Sequence, residues 1–573
     1  MIRNRNIVAA AISLALSLSA PPLALQVQAA QAQEALVPAA YPLTSSIAAE
    51  VRSVVNEQTA EGTRIGAVVS LYNNGKSVVR VPDYEVRVRC EDGTDYVIPP
   101  SALNALAIEP KEHIELTYMA IIDTLEPIPL AELAWVQVNK YVFPETVYTQ
   151  LAIPISSIVW RGQSFAPPDE TAWHQWGEPF KLPALSASLE LNVVNVYAQE
   201  TPQGYVSVAV ISVENQDQLA ITIPDFELTG RSGGKMFSGS RLEQGKLILQ
   251  AGDKRNIHYA IPTESNAKLA SLTVMMNEKF VGANQKSIPY SVGLLTIGLS
   301  GVSDSLRSLS ELQPYRLNDP IAFDPRSQYM PPAVQVSLAE LHVLESKGDG
   351  YKVVNAKFKL SNNSDQSVPA PKFQAELMTS NGNSYTPLRS GAVVETLLPQ
   401  LGVMTSSTFI VPGTEVGESF GLVLTDTQSA APYKVPIAAF RAQVQQEPAK
   451  DTVLLYPFRV QFKEGSLQRS MIMHDGEFKY SFRIKLALNM ERTDKVMADQ
   501  SLSNVKLELT DKEGKVLGKQ QFPLAGDNKL VNGEQTIRFN DLEDNYYDVL
   551  LNIYESIDTP YGTADRLITT LKY

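Results

Sequence analysis

The sequence predicts an all-β chain of tandem antiparallel β-sandwich modules, three clear copies and one diverged. Two observations predict it: a turn-and-strand grammar that recurs about every 145 residues, and period-two alternation in segments such as Val81 to Arg89 and Tyr205 to Val213. A third is length. At 573 residues, 44% hydrophobic and 19% charged, the chain is too long for one core, which stops growing at roughly 250–300 residues.

The chain opens with a predicted secretory leader, Met1 to Ala29. Arg3 and Arg5 form a basic start, Ile7 to Ala20 an uncharged apolar run, Pro21 and Pro22 a break, and Val27-Gln28-Ala29 a small-residue cleavage site. The run is shorter than the ~20 residues that span a bilayer. A secreted, extracellular or envelope-associated protein without an integral span after cleavage is expected. The formal charge is -13, and removing the leader takes away Arg3 and Arg5 but no acid. So acidic a surface disfavours nucleic acid as a partner. Cys90 is the lone cysteine, so internal disulfides are excluded and stability rests on module cores.

The repeat runs as follows. Module 1 reads Leu71-Tyr72-Asn73-Asn74-Gly75, then Val81-Pro82-Asp83-Tyr84-Glu85, then Asp92-Gly93-Thr94-Asp95-Tyr96. Module 2 reads Val213-Glu214-Asn215-Gln216, Ile223-Pro224-Asp225-Phe226-Glu227 and Gly233-Gly234-Lys235-Met236-Phe237. Module 3 reads Leu360-Ser361-Asn362-Asn363-Ser364, Ala370-Pro371-Lys372-Phe373-Gln374 and Asn381-Gly382-Asn383-Ser384-Tyr385. Pro82, Pro224 and Pro371 lie 142 and 147 residues apart, and Tyr118, Tyr259 and Phe409 close a later strand in each copy. In the diverged copy Ser503 replaces the proline, Gly514 keeps the turn and Phe539 the aromatic, after about eight extra residues from Glu491 to Ala498. Asp92-Gly93, Gly233-Gly234 and Asn381-Gly382 are hairpin turns that need positive φ, and the Asn-rich turns at Asn73-Asn74 and Asn362-Asn363 tolerate left-handed geometry.

These motifs resemble secreted bacterial telokin-like, immunoglobulin-like domain repeats, a group mostly of unassigned function. The resemblance covers three modules and implies a fold and an extracellular setting, with binding or structural roles. The expected organisation is leader 1–29, modules 47–160, 186–300, 333–442 and 452–573, a Trp-rich linker 161–185, and linkers 301–332 and 443–451. A short helix is expected from Leu306 to Leu312.

Residues for chemistry are sparse. Asp83 and Glu85 recur as Asp225 and Glu227, but the third copy has Lys372 and Gln374, so the pair reads as a surface strand. His113, His174, His258, His342 and His474 stand at no ligand spacing. Asp541, Glu543, Asp544 and Asp548 form an acidic turn, a weak calcium candidate. No nucleophile or phosphate-loop motif occurs. No catalytic residue and no cofactor is expected, and the chain is read as a non-enzymatic scaffold. Trp160, Trp173 and Trp176 crowd one segment, so they are candidate ligand-binding residues for a protein, glycan or cell-wall partner. The bland reading is that they dock the linker. Oligomeric state is not legible.

Overall fold

A computed structural model describes residues 40–573 except 125–127, 163–172, 265–266, 301–308, 324–328, 347, 391–393, 416, 447–451, 475 and 499–501. The expected leader therefore lies outside the described residues. Among the described residues there is no α-helix, and none is long and apolar enough to cross a membrane. The described part of the expected 306–312 helix, residues 309–312, is a turn whose Leu309 and Leu312 pack against Met378 and Val423. Apolar contact with module 3, rather than helical periodicity, decides its shape.

Six main strands recur in each module, with shorter strands beside them. Module 1 has β1 (Ile47–Thr59), β2 (Gly62–Asn73), β3 (Glu85–Cys90), β4 (His113–Ile122), β5 (Leu130–Asn139) and β6 (Thr146–Pro154). Module 2 has β7 (Ser186–Thr201), β8 (Gly204–Asn215), β9 (Glu227–Ser232), β10 (Lys254–Thr263), β11 (Ser271–Val281) and β12 (Ser287–Gly298). Module 3 has β13 (Val334–Glu345), β14 (Tyr351–Asn362), β15 (Gln374–Met378), β16 (Gly402–Pro412), β17 (Ser419–Asp426) and β18 (Val435–Gln443). Module 4 has β19 (Phe458–His474), β20 (Glu477–Arg492), β21 (Asn504–Thr510), β22 (Gly533–Leu542), β23 (Leu550–Thr559) and β24 (Gly562–Lys572).

In every module the first, second and fourth strands form one antiparallel layer, and the third, fifth and sixth the other. That is the two-sheet arrangement of an immunoglobulin-like sandwich. Alternation explains the cores. In β3 every second residue, Val86, Val88 and Cys90, points inward and is buried against Leu133 and Trp135 of β5. The closing aromatics Tyr118, Tyr259, Phe409 and Phe539 all face cores. The turn glycines Gly93, Gly233, Gly382 and Gly514 all have positive φ, between 56° and 87°.

The asparagine turns do not use the left-handed geometry they tolerate. Asn73, Asn74, Asn362 and Asn363 are absent from the left-handed region among the described residues. Asn73, Asn215 and Asn362 are instead buried clamps. Each Nδ2 donates to three carbonyls: Ser77, Ile108 and Glu109; Leu219, Leu249 and Gln250; Gln366, Leu397 and Leu398. Each Oδ1 accepts the N–H two residues on. One side chain thus gives donors to backbone carbonyls at and beside a two-residue strand pair.

Candidate functional site

The chemistry-bearing residues gather where modules meet. All three junctions share one geometry: the three-stranded layer of one module turns its outer face to the fifth and sixth strands of the next. The sequence of module 2 shows why, because its layer is apolar on both faces. In β8, Val206, Val208 and Val210 alternate with Ala209, Ile211 and Val213, and the two sets belong to different cores.

At the first junction Val55 and Met119 of module 1 pack with Phe280, Tyr290 and Val292 of module 2. The backbone N–H of Ala102 donates to the Val281 carbonyl at 2.8 Å, and Arg52 donates to the Ala184 carbonyl at 2.7 Å. The tryptophan segment belongs here. Val159–Trp160 pairs in parallel with Val54–Val55 of β1. The Trp160 ring fills the space over Gly293, where an added Cβ would lie 2.5 Å from it. Trp173 lies similarly over Gly298, and Trp176 packs on the module 2 core. All three rings are half-buried. The structure thus places the three tryptophans along the joint, with Trp160 and Trp173 on glycines of one strand, β12. Glu278, half-buried at this junction, is pushed up to about 7 by burial and by Glu115, against the opposing pull of Arg52.

At the second junction a cavity of about 410 Å³ lies between modules 2 and 3, lined by Glu243, Arg255, His258, Tyr329, Asp426 and Val435. His258 Nδ1 lies 2.7 Å from Glu243 Oε1, and its backbone N–H also donates to that carboxylate. A glutamate–histidine pair can orient an imidazole as a base. Glu243 is the ring partner of His258 among the described residues. Gln199 and Lys434 exchange side-chain-to-backbone bonds across the same junction at 3.3 Å.

The third junction buries an ion cluster. Glu340 and His342 sit two apart on β13, on one face; Lys357 is directly opposite Glu340 on β14. Module 4 brings Glu555 on β23 and Arg566 opposite it on β24. Lys357 Nζ lies 2.6 Å from Glu340 Oε1 and 3.4 Å from Glu555 Oε1. Glu555 Oε2 accepts two bonds from Arg566, at 3.0 and 2.7 Å, and Oε1 accepts one from Ser503 at 2.6 Å. Glu340, Lys357 and Glu555 are fully buried. Burial alone would raise both carboxyls. Burial is the largest single influence at each, but Lys357 and His342 together at Glu340, and Lys357, Arg566, His342 and Ser503 together at Glu555, outweigh it, so both are held below the usual range. Burial would lower Lys357, but the two carboxylates raise it. Ala339, Met404, Tyr456 and Val496 close one side of the cluster, and Leu344, Val353 and Ala564 the other.

Among the described residues, Glu340, His342 and Glu555 are the one set of three metal-ligating side chains whose atoms converge. Their chemistry fits a cation, and the Lys357 ammonium stands in that place, bridging both carboxylates. The acidic turn does not converge. Asp541 and Asp548 take left-handed backbone, and Glu543 faces Lys515 at 3.6 Å. His342 and His258, at no ligand spacing in the sequence, thus meet carboxylates that the fold brings to them. The Glu340–His342 spacing was visible in sequence; their partners from other strands were not. Cys90 is buried in the module 1 core, and burial pushes its thiol up.

No protein-family model and no curated protein matches the chain. Solved structures with distant likeness include a protein of unknown function from Porphyromonas gingivalis W83, at 12% identity over 45% of this chain and 100% of that one, TM-score 0.13. Dimeric latent PorU from Porphyromonas gingivalis is similar at 10% identity over 68% of this chain and 34% of its own, TM-score 0.13. Amycolatopsis orientalis exo-chitosanase CsxA is similar at 7% identity over 89% and 92%, TM-score 0.11. The chain spans about a third of the PorU length. Likeness at this level carries no functional argument.

Proposed function

We propose that the chain is a non-enzymatic exported or cell-envelope scaffold, related to telokin-like, immunoglobulin-like repeats, that holds its modules in fixed relative positions. One observation carries the reading: each junction is closed by its own packed or ion-paired contact, where flexible linkers would leave solvated faces. The tryptophans support it, since Trp160 and Trp173 lie on glycines of module 2 and serve the joint. Stacking on sugar needs a free ring face, so glycan binding by Trp160, Trp173 and Trp176 is the weaker reading.

The test is a distance distribution between spin labels on modules 1 and 4 of the leaderless chain. A single narrow distribution is expected. A broad one, as independent modules on flexible linkers would give, would overturn the scaffold reading. Cell fractionation and N-terminal sequencing test the export reading; a mature chain beginning at Ala30 outside the cytoplasm is expected. Co-sedimentation with insoluble polysaccharide that disappears in Trp176→Ala would favour the glycan reading instead.

A further inference from the structure

The linker ahead of module 3 forms a strap over that module. Phe420, Leu422, Phe440 and Ala442 face the module 3 core, so alternation turns Ser419 and Gly421 of β17, and Arg441 and Gln443 of β18, outward. The register sets Arg441 opposite Gly421 and Gln443 opposite Ser419. Across this outer face Leu309 and Leu312 lie on Met378 and Val423. Gly421 lets the strap come close, since an added Cβ there would lie 2.7 Å from Leu312. Pro314–Tyr315 then adds in parallel to β18, beside Arg441 and Ala442.

The strap is fixed where it leaves the sheet. Tyr315 packs on Phe440 with ring centroids 4.5 Å apart, and its hydroxyl accepts the Leu338 N–H at 2.9 Å and donates to the Asp319 carbonyl. The Asn318 N–H donates to the Leu338 carbonyl at 2.8 Å. Between the strap and the end of the sheet remains a cavity of about 670 Å³.

Its polar lining is Arg316, Arg441, Ser419 and Gln443, with Pro314 and Leu317 on its apolar wall and no carboxylate among the described residues that line it. Arg316 is exposed and Arg441 half-buried. Neither guanidinium has an ion-pair or hydrogen-bond partner among the described residues. Arginines on other sheets, such as Arg87, Arg89 and Arg566, are matched with carboxylates. Glu418, next to Ser419, lines a separate cavity with Val343 and Lys352. In a chain of formal charge -13, a hollow holding two guanidiniums, an amide, a hydroxyl and no acid is a local reversal of sign. Guanidinium forks match the oxygens of a carboxylate or a phosphate, and the volume is that of small-molecule sites.

We propose that this cavity binds an oxyanion, a carboxylate or phosphate group carried by a small ligand, with Arg316 and Arg441 as the forks and Gln443 and Ser419 completing the donor set. Two positive charges held in one hollow repel each other until an anion shares them. The strap is already fixed by Tyr315 and Asn318, so little has to be ordered on binding. The bound group ties the strap to β17 and β18, so occupancy stabilises module 3. This goes beyond the scaffold reading and does not require it.

Titration calorimetry of the leaderless chain, at constant ionic strength in chloride, tests it with inorganic phosphate and glucuronate as probes. Saturable one-to-one binding of at least one probe is expected, phosphate alone marking a phosphoryl ligand and glucuronate alone a carboxylate one. Arg316→Gln and Arg441→Gln should each weaken binding by about tenfold or more. Ser419→Asp should abolish it by placing a carboxylate among the donors. The thermal transitions of these variants without ligand should match wild type, because the side chains replaced have no partners to lose. Arg316→Lys/Arg441→Lys keeps both charges but loses the forks, and should also bind more weakly. No saturation by either probe up to about 20 mM would overturn the proposal. So would full-strength binding in any of these variants, since the heat would then arise elsewhere on the chain.

Discussion

Neutralising one member of the ion cluster between modules 3 and 4 should open that junction, and neutralising an opposed pair should largely close it again. With Glu340, Lys357, Glu555 and Arg566 charged, the buried set is balanced. Lys357→Met leaves two buried carboxylates against one guanidinium, and Glu340→Gln leaves two cations against one carboxylate. Removing one partner of a buried pair costs about 3–5 kcal/mol, because the other charge remains without water. The double variant Glu340→Gln/Lys357→Met keeps Glu555 with Arg566 in their two-bond contact, and should cost less than either single change. The assay is hydrogen exchange of the β13 and β24 amides, which reports local opening without requiring two-state unfolding of the whole chain. A loss of 3–5 kcal/mol corresponds to protection falling by about two to three and a half orders of magnitude. Additive effects in the double variant, or single variants within about threefold of wild type, would refute the reasoning.

Acid should act on the same junction. The folded Glu340 and Glu555 carboxyls titrate below their unfolded value of about 4.3, so their contribution is complete above that pH and is lost as pH falls through and below it; exchange of the β24 amides should accelerate there. The first junction has the opposite sign. Glu278 holds its proton up to about 7 when folded, so stability falls as pH rises from about 4 towards 7 and stays low above. Glu278→Gln should restore about 1–2 kcal/mol at pH 8, a figure reduced for the partial exposure of the group, and little at pH 4; equal effects at both would refute the assignment. Gly293→Ala puts a Cβ 2.5 Å from the Trp160 ring and should cost about 1–3 kcal/mol at that joint, read as a shift in tryptophan emission on heating. Asn215→Ala should cost about 2–3 kcal/mol in module 2 by leaving three carbonyls without their donor, seen as a lower calorimetric midpoint; a change below about 0.5 kcal/mol would remove the clamp reading.

Local features of the fold were legible because they repeat. Pro82, Gly93 and Tyr118 recur with their spacing, and each marks the approach to a strand, a positive-φ turn or a core aromatic. Ser503, Gly514 and Phe539 keep those places in module 4. The clamp role of Asn73 and Asn362 was not legible because turn propensity describes a backbone conformation, whereas their use is a side-chain one that needs a segment some 35 residues away. The extra residues before Ser503 also had an unseen purpose: Val496–Ala498 adds in parallel to β16 of module 3. Half of the ion cluster was within reach, since Glu340 and Lys357 are opposed in a hairpin. The other half required knowing which face of module 3 receives module 4, and no local pattern carries that.

The order of the modules is itself a recognition problem, because four similar sandwiches could stack in the wrong sequence. The junctions meet it with different chemistry on one geometry. Val55 and Met119 offer module 2 an apolar surface, so the Glu555 and Arg566 face of module 4 placed there would have only its own pair for compensation. Lys357 and Glu340 would then stay uncovered on module 3, and Phe280 and Val292 of module 2 placed on them would desolvate both charges without supplying Glu555 or Arg566. A buried ion pair adds little to stability compared with an apolar contact of the same size, but it penalises an unmatched partner heavily. The cluster is therefore best understood as what makes module 4 the one module that fits after module 3, and a chain with modules 2 and 4 exchanged should fail at the junctions while each module keeps its own core.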